Sequence, residues 1–396
     1  MRAKAFLVLT FVLFAISSGL AGTQKVLYAF TGGADGGQPY AGVIFDPAGN
    51  LYGVTQAGGA YNKGTVFELS PSKDGWTETV LYSFTGGTDG GVPIGGLTTD
   101  GNGNLFGTAS RGGNPNSNCG TLFELPMPGT SGSFTVLHTF EGVSWLDGCF
   151  PAAKLYYGSY NTLYGTTVSG FSYGSRFAFF RETGKYQAYR FSTTMGGKIW
   201  GGFNDWMFGA SFSGGHAGEG VVYQGFDTPQ NIYSFYKQQA KMGDYPMGEL
   251  LTANVGGVLT MYGTASAGGA GGDGTVYALT DTLLKSGKWK WEVSLLHSFS
   301  GPDGDSPGAG LVADSAGNLY GTTRSGGTAP GLAGTAFELT PGPQDKWSLT
   351  TLYSFTGGTD GGMVTSGVVL DTAANLYGTA SSGGAHNQGV VYEVTP

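Results

Sequence analysis

Short apolar and polar runs alternate along most of this chain, and they recur in a fixed order. From residue 310, Gly-Leu-Val-Ala-Asp reads as a strand, Ser-Ala-Gly-Asn (315–318) as a tight turn, and Leu-Tyr-Gly-Thr-Thr (319–323) as a returning strand. A Gly-rich loop over 324–334 leads into Thr-Ala-Phe-Glu-Leu (335–339), a third strand with alternating faces. A turn over 341–346 then leads to a fourth strand over 347–355. No segment of any length carries a helical period, so the pattern predicts four antiparallel strands per unit.

The unit repeats. Leu-Tyr-Gly-Thr or a close variant places its glycine at Gly53, Gly107, Gly165, Gly209, Gly263, Gly321 and Gly378, at intervals of 54, 58, 44, 54, 58 and 57 residues. A period in this range, made of strands, predicts a propeller with one blade per copy. The copies run over about 42–84, 96–140, 152–191, 197–235, 248–299, 309–355 and from 366 onward, and those over about 152–235 are degenerate. The last copy holds only three strands. Its missing fourth is at the other end of the chain, where Lys25-Val-Leu-Tyr-Ala-Phe30 matches the fourth strands at 80–84 and 352–355. The expected fold is therefore all-β. It is a single seven-bladed β-propeller domain (22–396) of four-stranded antiparallel blades, closed by the N-terminal strand (about 25–30) completing the last blade.

The first 21 residues form a separate signal. A basic start (1–4), an apolar run (5–16) and small residues (17–21) make a secretory signal peptide cleaved after Ala21. The apolar run is short of the roughly 20 residues a spanning helix needs, and no other segment is long enough. The mature chain is expected to be secreted, extracellular or periplasmic. With a net charge of −8 and 12% charged residues, it lacks the basic patch that nucleic acid or anionic lipid requires. Like charge on its surface is expected to keep it monomeric. The 75 Gly, 22 Tyr and 25 Phe suit tight turns and a layered β core, and 40% apolar content argues against disorder.

The internal repeat gives several chemistry-bearing residues a structural reading. His138 and His297 occupy the fourth-strand position held elsewhere by Tyr28, Tyr82 and Tyr353. Trp76, Trp291 and Trp347 open fourth strands and are expected to pack in the core or between blades. Asp46, Asp100, Asp314 and Asp371 precede the first hairpin turn, where a carboxylate accepts local backbone N–H groups. The inter-blade loops carry Asp35, Asp89, Asp147, Asp303, Asp305 and Asp360. A carboxylate ring at a channel mouth could draw Ca²⁺, but only Asp303 and Asp305 lie close in sequence, and tight-turn chemistry is preferred. No metal or cofactor is expected. His216 and His386 lie in Gly-rich loops and read as solvated.

Departures from the repeat carry the candidate site. The first-strand position held by Gly42, Gly96, Gly310 and Gly367 holds Lys154, Lys198 and Glu249 in three consecutive blades. These charges face the expected axis, where confined charge needs a partner or a ligand. The same sector carries Trp145, Phe150, Tyr156, Tyr157, Trp200, Trp206 and Tyr245. Aromatic faces beside charged groups suit sugar rings or peptide segments. The candidate ligand-binding residues are Lys154, Lys198, Glu249, Trp200, Tyr157 and Trp145. The alternative is drift, with Lys154 and Glu249 forming a plain ion pair. Cys119 and Cys149, the only cysteines, form a disulfide in an exported chain or else remain two buried thiols.

Catalysis has weaker support. Glu249 with Asp147 or Asp244 offers the two carboxyls a glycosidase needs, and Lys154 with Glu249 offers a base, but nothing in the sequence fixes their separation. There is no Ser-His-Asp signature, no Cys/His metal spacing and no phosphate loop opening a helix. The favoured reading is a non-enzymatic propeller that binds a carbohydrate or extracellular protein on one face. A polysaccharide hydrolase or lyase and a structural envelope module are the alternatives.

The repeat body Gly-Asn-Leu-Tyr-Gly-Thr-Thr (317–323), with Ser-Gly-Gly (325–327) and Gly-Thr-Ala-Phe-Glu-Leu (334–339), resembles the Gloeo/Verruco tandem repeat family. Leu-Tyr-Ser-Phe-Thr-Gly-Gly-Thr-Asp-Gly-Gly at 81–91 and 352–362 strengthens the likeness. It covers nearly all of the mature chain, strongly in five copies and faintly over about 143–245. The resemblance implies an exported bacterial repeat protein, often surface-attached. It implies no established enzymatic activity and supplies no catalytic residue. Family members frequently end in a sorting signal. The chain stops at Pro396 without one, which favours free secretion.

Overall fold

The computed structural model describes residues 22–142, 147–169, 174–190, 208–213, 218–225, 230–235, 242–283 and 289–396. The expected signal peptide (1–21) lies outside them. The chain forms seven antiparallel sheets, one per repeat, arranged as the blades of a propeller. Blade 6 shows the plan: Val312–Ala313, Leu319–Thr323, Thr335–Pro341 and Trp347–Ser354 pair in sequence order. Blades 1 and 2 follow it. Blades 3 and 5 split their first strand in two, and blade 4 has three strands among the described residues. The first strands are shorter than the sequence suggested. In blade 6 only Val312–Ala313 pairs, because the Gly-rich stretch before it packs against the neighbouring blade near the axis.

Ring closure is as expected. Thr23–Ala29 pairs antiparallel with Val390–Thr395, making the chain's first strand the outer strand of blade 7. The two terminal segments thus satisfy each other's backbone edge.

One contact explains the repeated glycine. In every blade it pairs across the sheet with a third-strand aromatic: Gly53 with Phe67, Gly107 with Phe123, Gly165 with Phe177, Gly209 with Tyr223, Gly263 with Tyr277, Gly321 with Phe337, and Gly378 with Tyr392. The ring lies over the glycine so closely that a Cβ on Gly321 would stand 2.6 Å from Phe337 Cζ, and one on Gly53 2.5 Å from Phe67 Cζ. All seven aromatics are fully buried. The same rings then reach the preceding blade. Phe30 meets Phe67 edge-on at 5.1 Å, Phe84 meets Phe123 at 5.3 Å, and Phe140 meets Phe177 at 5.2 Å. Phe235 meets Tyr277 at 5.2 Å, Phe299 meets Phe337 at 5.3 Å, and Phe355 meets Tyr392 at 4.8 Å. Edge-to-face pairs of this kind add about 0.5–1.5 kcal/mol each beyond area burial. The belt runs through the closure seam, since Phe30 belongs to blade 7 and Phe67 to blade 1.

Polar locks bracket this belt on both sides. On the face carrying the long loops, the fourth-strand Tyr hydroxyl donates to the loop aspartate: Tyr28 to Asp35, Tyr82 to Asp89 and Tyr353 to Asp360, each at 3.0 Å. His138 meets Asp147 at 3.1 Å and His297 meets Asp303 at 2.8 Å in the same place. The histidines and the loop aspartates are therefore structural, as the repeat indicated. On the opposite face, Asp46 accepts from the backbone N–H of Ala48 and Asn50, and Asp314 from Ala316 and Asn318. These bonds hold both carboxyls below the usual range despite the opposing effect of burial. Tyr52 spans Asp46 and Glu68 in blade 1, and Tyr320 spans Asp314 and Glu338 in blade 6. Blade 2 has Phe106 there and lacks the hydroxyl. Arg181 reaches in from blade 3 instead, with its guanidinium 4.5 Å over Phe106, 3.3 Å from Asp100 and 2.7 Å from Glu124. Trp76, Trp291 and Trp347 pack on rings of adjacent blades, as expected of fourth-strand tryptophans.

Two predictions follow from the core. Gly321→Ala forces a Cβ against Phe337 and is expected to destabilise by about 1–3 kcal/mol, as an overpacked core site does. Tyr392 is the converse case. Its hydroxyl is buried with no protein partner, while four other blades carry Phe there. Tyr392→Phe is expected to leave stability unchanged or raise it by about 1 kcal/mol. Denaturant melts of both variants test the belt, and a strongly destabilised Tyr392→Phe would refute the account of that position.

The closure seam generates a pH dependence. Glu78, on the outer strand of blade 1, has one carboxyl oxygen buried without a partner. Burial, with a contribution from the Asp35 charge, pushes its pKa from 4.5 to about 7. The folded state therefore binds the proton more tightly than the unfolded chain does. Stability from this group is full below pH 4.5 and lost as pH rises through 7. Glu78→Gln should match the wild type at pH 5 and exceed it at pH 8, by on the order of 1 kcal/mol after allowing for partial exposure. Melting curves at the two pH values check this. Equal differences at both would remove Glu78 as the source.

Candidate functional site

The first strands do not close the axis. They leave a cavity of about 850 Å³ whose described lining includes residues of all seven blades. The size suits a small ligand, since such sites span about 300–1,000 Å³. Where blades meet at the axis their backbones touch: a Cβ on Gly42 would lie 2.7 Å from the Gly367 carbonyl oxygen, and one on Gly248 2.5 Å from that of Ala309. Glycine at these points lets the blades approach. A side chain larger than hydrogen must point elsewhere, and at Lys154 and Glu249 it joins the cavity lining.

Lys154 from blade 3 and Glu249 from blade 5 thus share one cavity, as their repeat positions suggested. No ion pair within 4.0 Å joins them among the described residues. The structure adds Arg324, which follows the second strand of blade 6 and also lines the cavity. Sequence reading missed it, although the signal was present: the equivalent positions hold Gln56, Ser110, Val168, Phe212, Ser266 and Ser381. Lys198, Trp200 and Trp145 lie outside the described residues, as do Trp206 and His216. His386 is exposed on a blade 7 loop.

The aromatic sector separates into two groups. Tyr156 lines the cavity and stacks on Tyr164 at 6.1 Å. Phe212 lines it too and stacks on Tyr245 at 4.7 Å. A hydrogen bond to Glu219, with burial, pushes the Tyr245 phenol up. Tyr157 is placed differently. Alternation along the strand turns it toward blade 2, where it stacks on Phe106 at 5.9 Å and donates its hydroxyl to Asn161. It is not among the described lining residues, and its neighbour Tyr156 holds that position.

One strained backbone position recurs from blade to blade, and at Ser306 it belongs to the cavity lining. Gln38, Val92, Phe150, Tyr245, Ser306 and Met363 occupy equivalent loop positions with φ of 54°, 55°, 60°, 61°, 57° and 52°. Glycine is the residue that takes such φ cheaply, and the chain has 75 of them, yet none of these six is glycine. Each side chain is different and half-buried or exposed. Gln38 accepts a bond from Gln56 Nε2 at 3.0 Å, and Phe150 lies 4.1 Å beneath the Arg111 guanidinium. A uniform scaffold therefore presents a varied collar around the cavity.

Other candidate chemistry resolves into structure. Asp303 accepts from His297 and the Ser300 N–H, while Asp305 accepts from the Ser306 and Ser325 hydroxyls, so the two do not share a site. No group of three or more metal-ligating side chains occurs among the described residues. Asp147 is bound by His138 and the Glu141 N–H, and neither it nor Asp244 is in the described cavity lining. Cys119 and Cys149 are joined in a disulfide across 30 residues, with Cα atoms 4.5 Å apart. The Phe150 N–H donates to the Cys119 carbonyl at 2.9 Å, so the bridge also fixes the collar at blade 3. In the chain-entropy description a loop of this length gains about 3–4 kcal/mol from the bond. Such bonds persist in oxidising compartments. No described helix is long and apolar enough to cross a membrane.

No curated protein matches the chain significantly. Among solved structures, it is similar to an endo-arabinase from Bacteroides thetaiotaomicron VPI-5482 at 13% identity and a TM-score of 0.35, over 84% of this chain and 98% of that one. The Gloeobacter/Verrucomicrobia repeat profile matches residues 12–180 and 171–392, which together span the seven blades. With the Leu-Tyr-Gly-Thr repeat, its cross-strand aromatic and the closed ring in place, the chain belongs to the Gloeobacter/Verrucomicrobia repeat family.

Proposed function

We propose that this protein is an exported, non-enzymatic binding propeller whose ligand, a carbohydrate, enters the axial cavity from the loop face. The observation that carries this reading is the convergence of Lys154 and Glu249 on one cavity, at a repeat position where four other blades hold glycine. Polar groups in a confined cavity bounded by Tyr156 and Phe212 match what a sugar requires: hydrogen bonds at its edge and an aromatic surface for its face. The strained, varied collar supports a recognition role, because side chains are kept where glycine would relieve the backbone. The disulfide supports export, together with the signal-like first 21 residues. Glu249 is the one carboxylate in the described lining.

A glycan array probed with the mature protein, and with Lys154→Ala and Glu249→Ala, tests the reading. The wild type is expected to bind, and each variant to lose about tenfold or more in affinity, the size of a lost hydrogen bond to a charged group. Binding that both variants retain would move the ligand off the cavity. No binding to any glycan would favour a structural or protein-docking module.

A further inference from the structure

The cavity lining contrasts in charge with the rest of the molecule. The chain has 19 Lys and Arg against 27 Asp and Glu, yet two cations and one carboxylate make up the charged described lining. Lys154 and Arg324 are both exposed, and neither has an ion pair or side-chain hydrogen bond among the described residues. Elsewhere the carboxylates of the loop face are already engaged: Asp35, Asp89 and Asp360 by tyrosine, Asp147 and Asp303 by histidine, Asp305 by serine. These local bonds hold the acids in their loops, and among the described residues neither Lys154 nor Arg324 has a carboxylate partner.

Their placement adds a geometric constraint. Lys154 belongs to blade 3 and Arg324 to blade 6, three blades apart in a ring of seven, so they stand on facing walls. Arg324 is held by its backbone, whose N–H donates to the Ser306 carbonyl at 3.3 Å just as Ser110 N–H donates to Val92 and Ser381 N–H to Met363. The scaffold is common to these blades, and only the side chain is new. Between the two cations the wall carries Phe212, stacked on Tyr245, and Glu249. An isolated small anion could engage one wall. A chain with carboxylates on successive units could engage both while laying ring faces on the aromatic pair.

We propose that the ligand of the axial cavity is an anionic saccharide bearing uronate-type carboxylates, with Arg324 and Lys154 as its carboxylate-binding residues on opposite walls. This rests on the carbohydrate reading above and names its chemical class. The Arg324 guanidinium suits a carboxylate by its fork of donors, and Lys154 supplies a second point charge. Glu249, in the same lining, disfavours an acid at its own position, which orients the chain.

The test is calorimetric titration of the mature protein with oligogalacturonate, oligomannuronate and oligoguluronate, each beside its carboxyl-methylated ester, at low and at physiological salt. At least one free acid is expected to bind about tenfold or more tightly than its ester, with affinity falling as salt rises. Arg324→Ala and Lys154→Ala should each lose about tenfold for the acid and little for the ester. Arg324→Lys should recover part of that loss. Matched melting temperatures confirm that these exposed positions leave the fold intact. Equal binding of acid and ester, or unchanged affinity in Arg324→Ala, overturns the proposal. If neutral glycans bind and Glu249→Ala abolishes that binding, the anionic class fails while the cavity reading stands. If no saccharide binds, acid or neutral, both fail together.

Discussion

The propeller depends on a ring lying flat over a missing side chain. Across each sheet an aromatic of the third strand covers the glycine of the second, with no room for a Cβ between them. The contact sets register within the blade, because a slip of one residue would turn the ring to the wrong face. It also sets spacing between blades, because the edge of the same ring receives the phenylalanine that ends the preceding blade. One residue pair therefore fixes both the pleat of the sheet and the pitch of the ring. The Leu-Tyr-Gly-Thr repeat is the visible half of that pair.

Around this belt the molecule spends its polar groups on holding loops. The loop-face aspartates clamp the fourth strand to the turn that follows, through tyrosine in three blades and histidine in two. The opposite-face aspartates close the first hairpin and, through tyrosine, tie it to a glutamate on the third strand. Blade 2 shows how strict that arrangement is. Losing the tyrosine hydroxyl at Phe106 would leave two carboxylates facing each other, and the guanidinium of Arg181 neutralises them from the next blade.

With the framework this uniform, departures from it are informative. They concentrate at the axis and at its mouth: Lys154 and Glu249 where other blades have glycine, Arg324 where they have small or neutral residues, and six different side chains on the same strained collar position. Glycine would take the collar backbone at less strain. Keeping Phe150 under Arg111 and Tyr245 against Phe212 instead gives the mouth a distinct surface in each sector.

Much of this was legible in order along the chain. Period, strand count, closure by residues 25–30 and the structural roles of His138, His297 and the aspartates all follow from comparing one copy with the next, because a repeat makes every position its own control. The same comparison marked Lys154 and Glu249 as axial. It did not distinguish Tyr156 from Tyr157, since adjacent residues on a strand point to opposite faces and only the packed blade shows which face meets the channel. Arg324 stood out by the same measure, but only the closed ring shows that it lines the same cavity as Lys154 and Glu249. Arg181 filling the place of a hydroxyl on another blade could not be read locally at all. The sequence by itself determined what each blade must be, because pairing and burial within a repeat are short-range and periodic. Only the tertiary structure decided which side chains from distant blades meet at the axis, because those contacts arise from closing the ring, which no single repeat encodes.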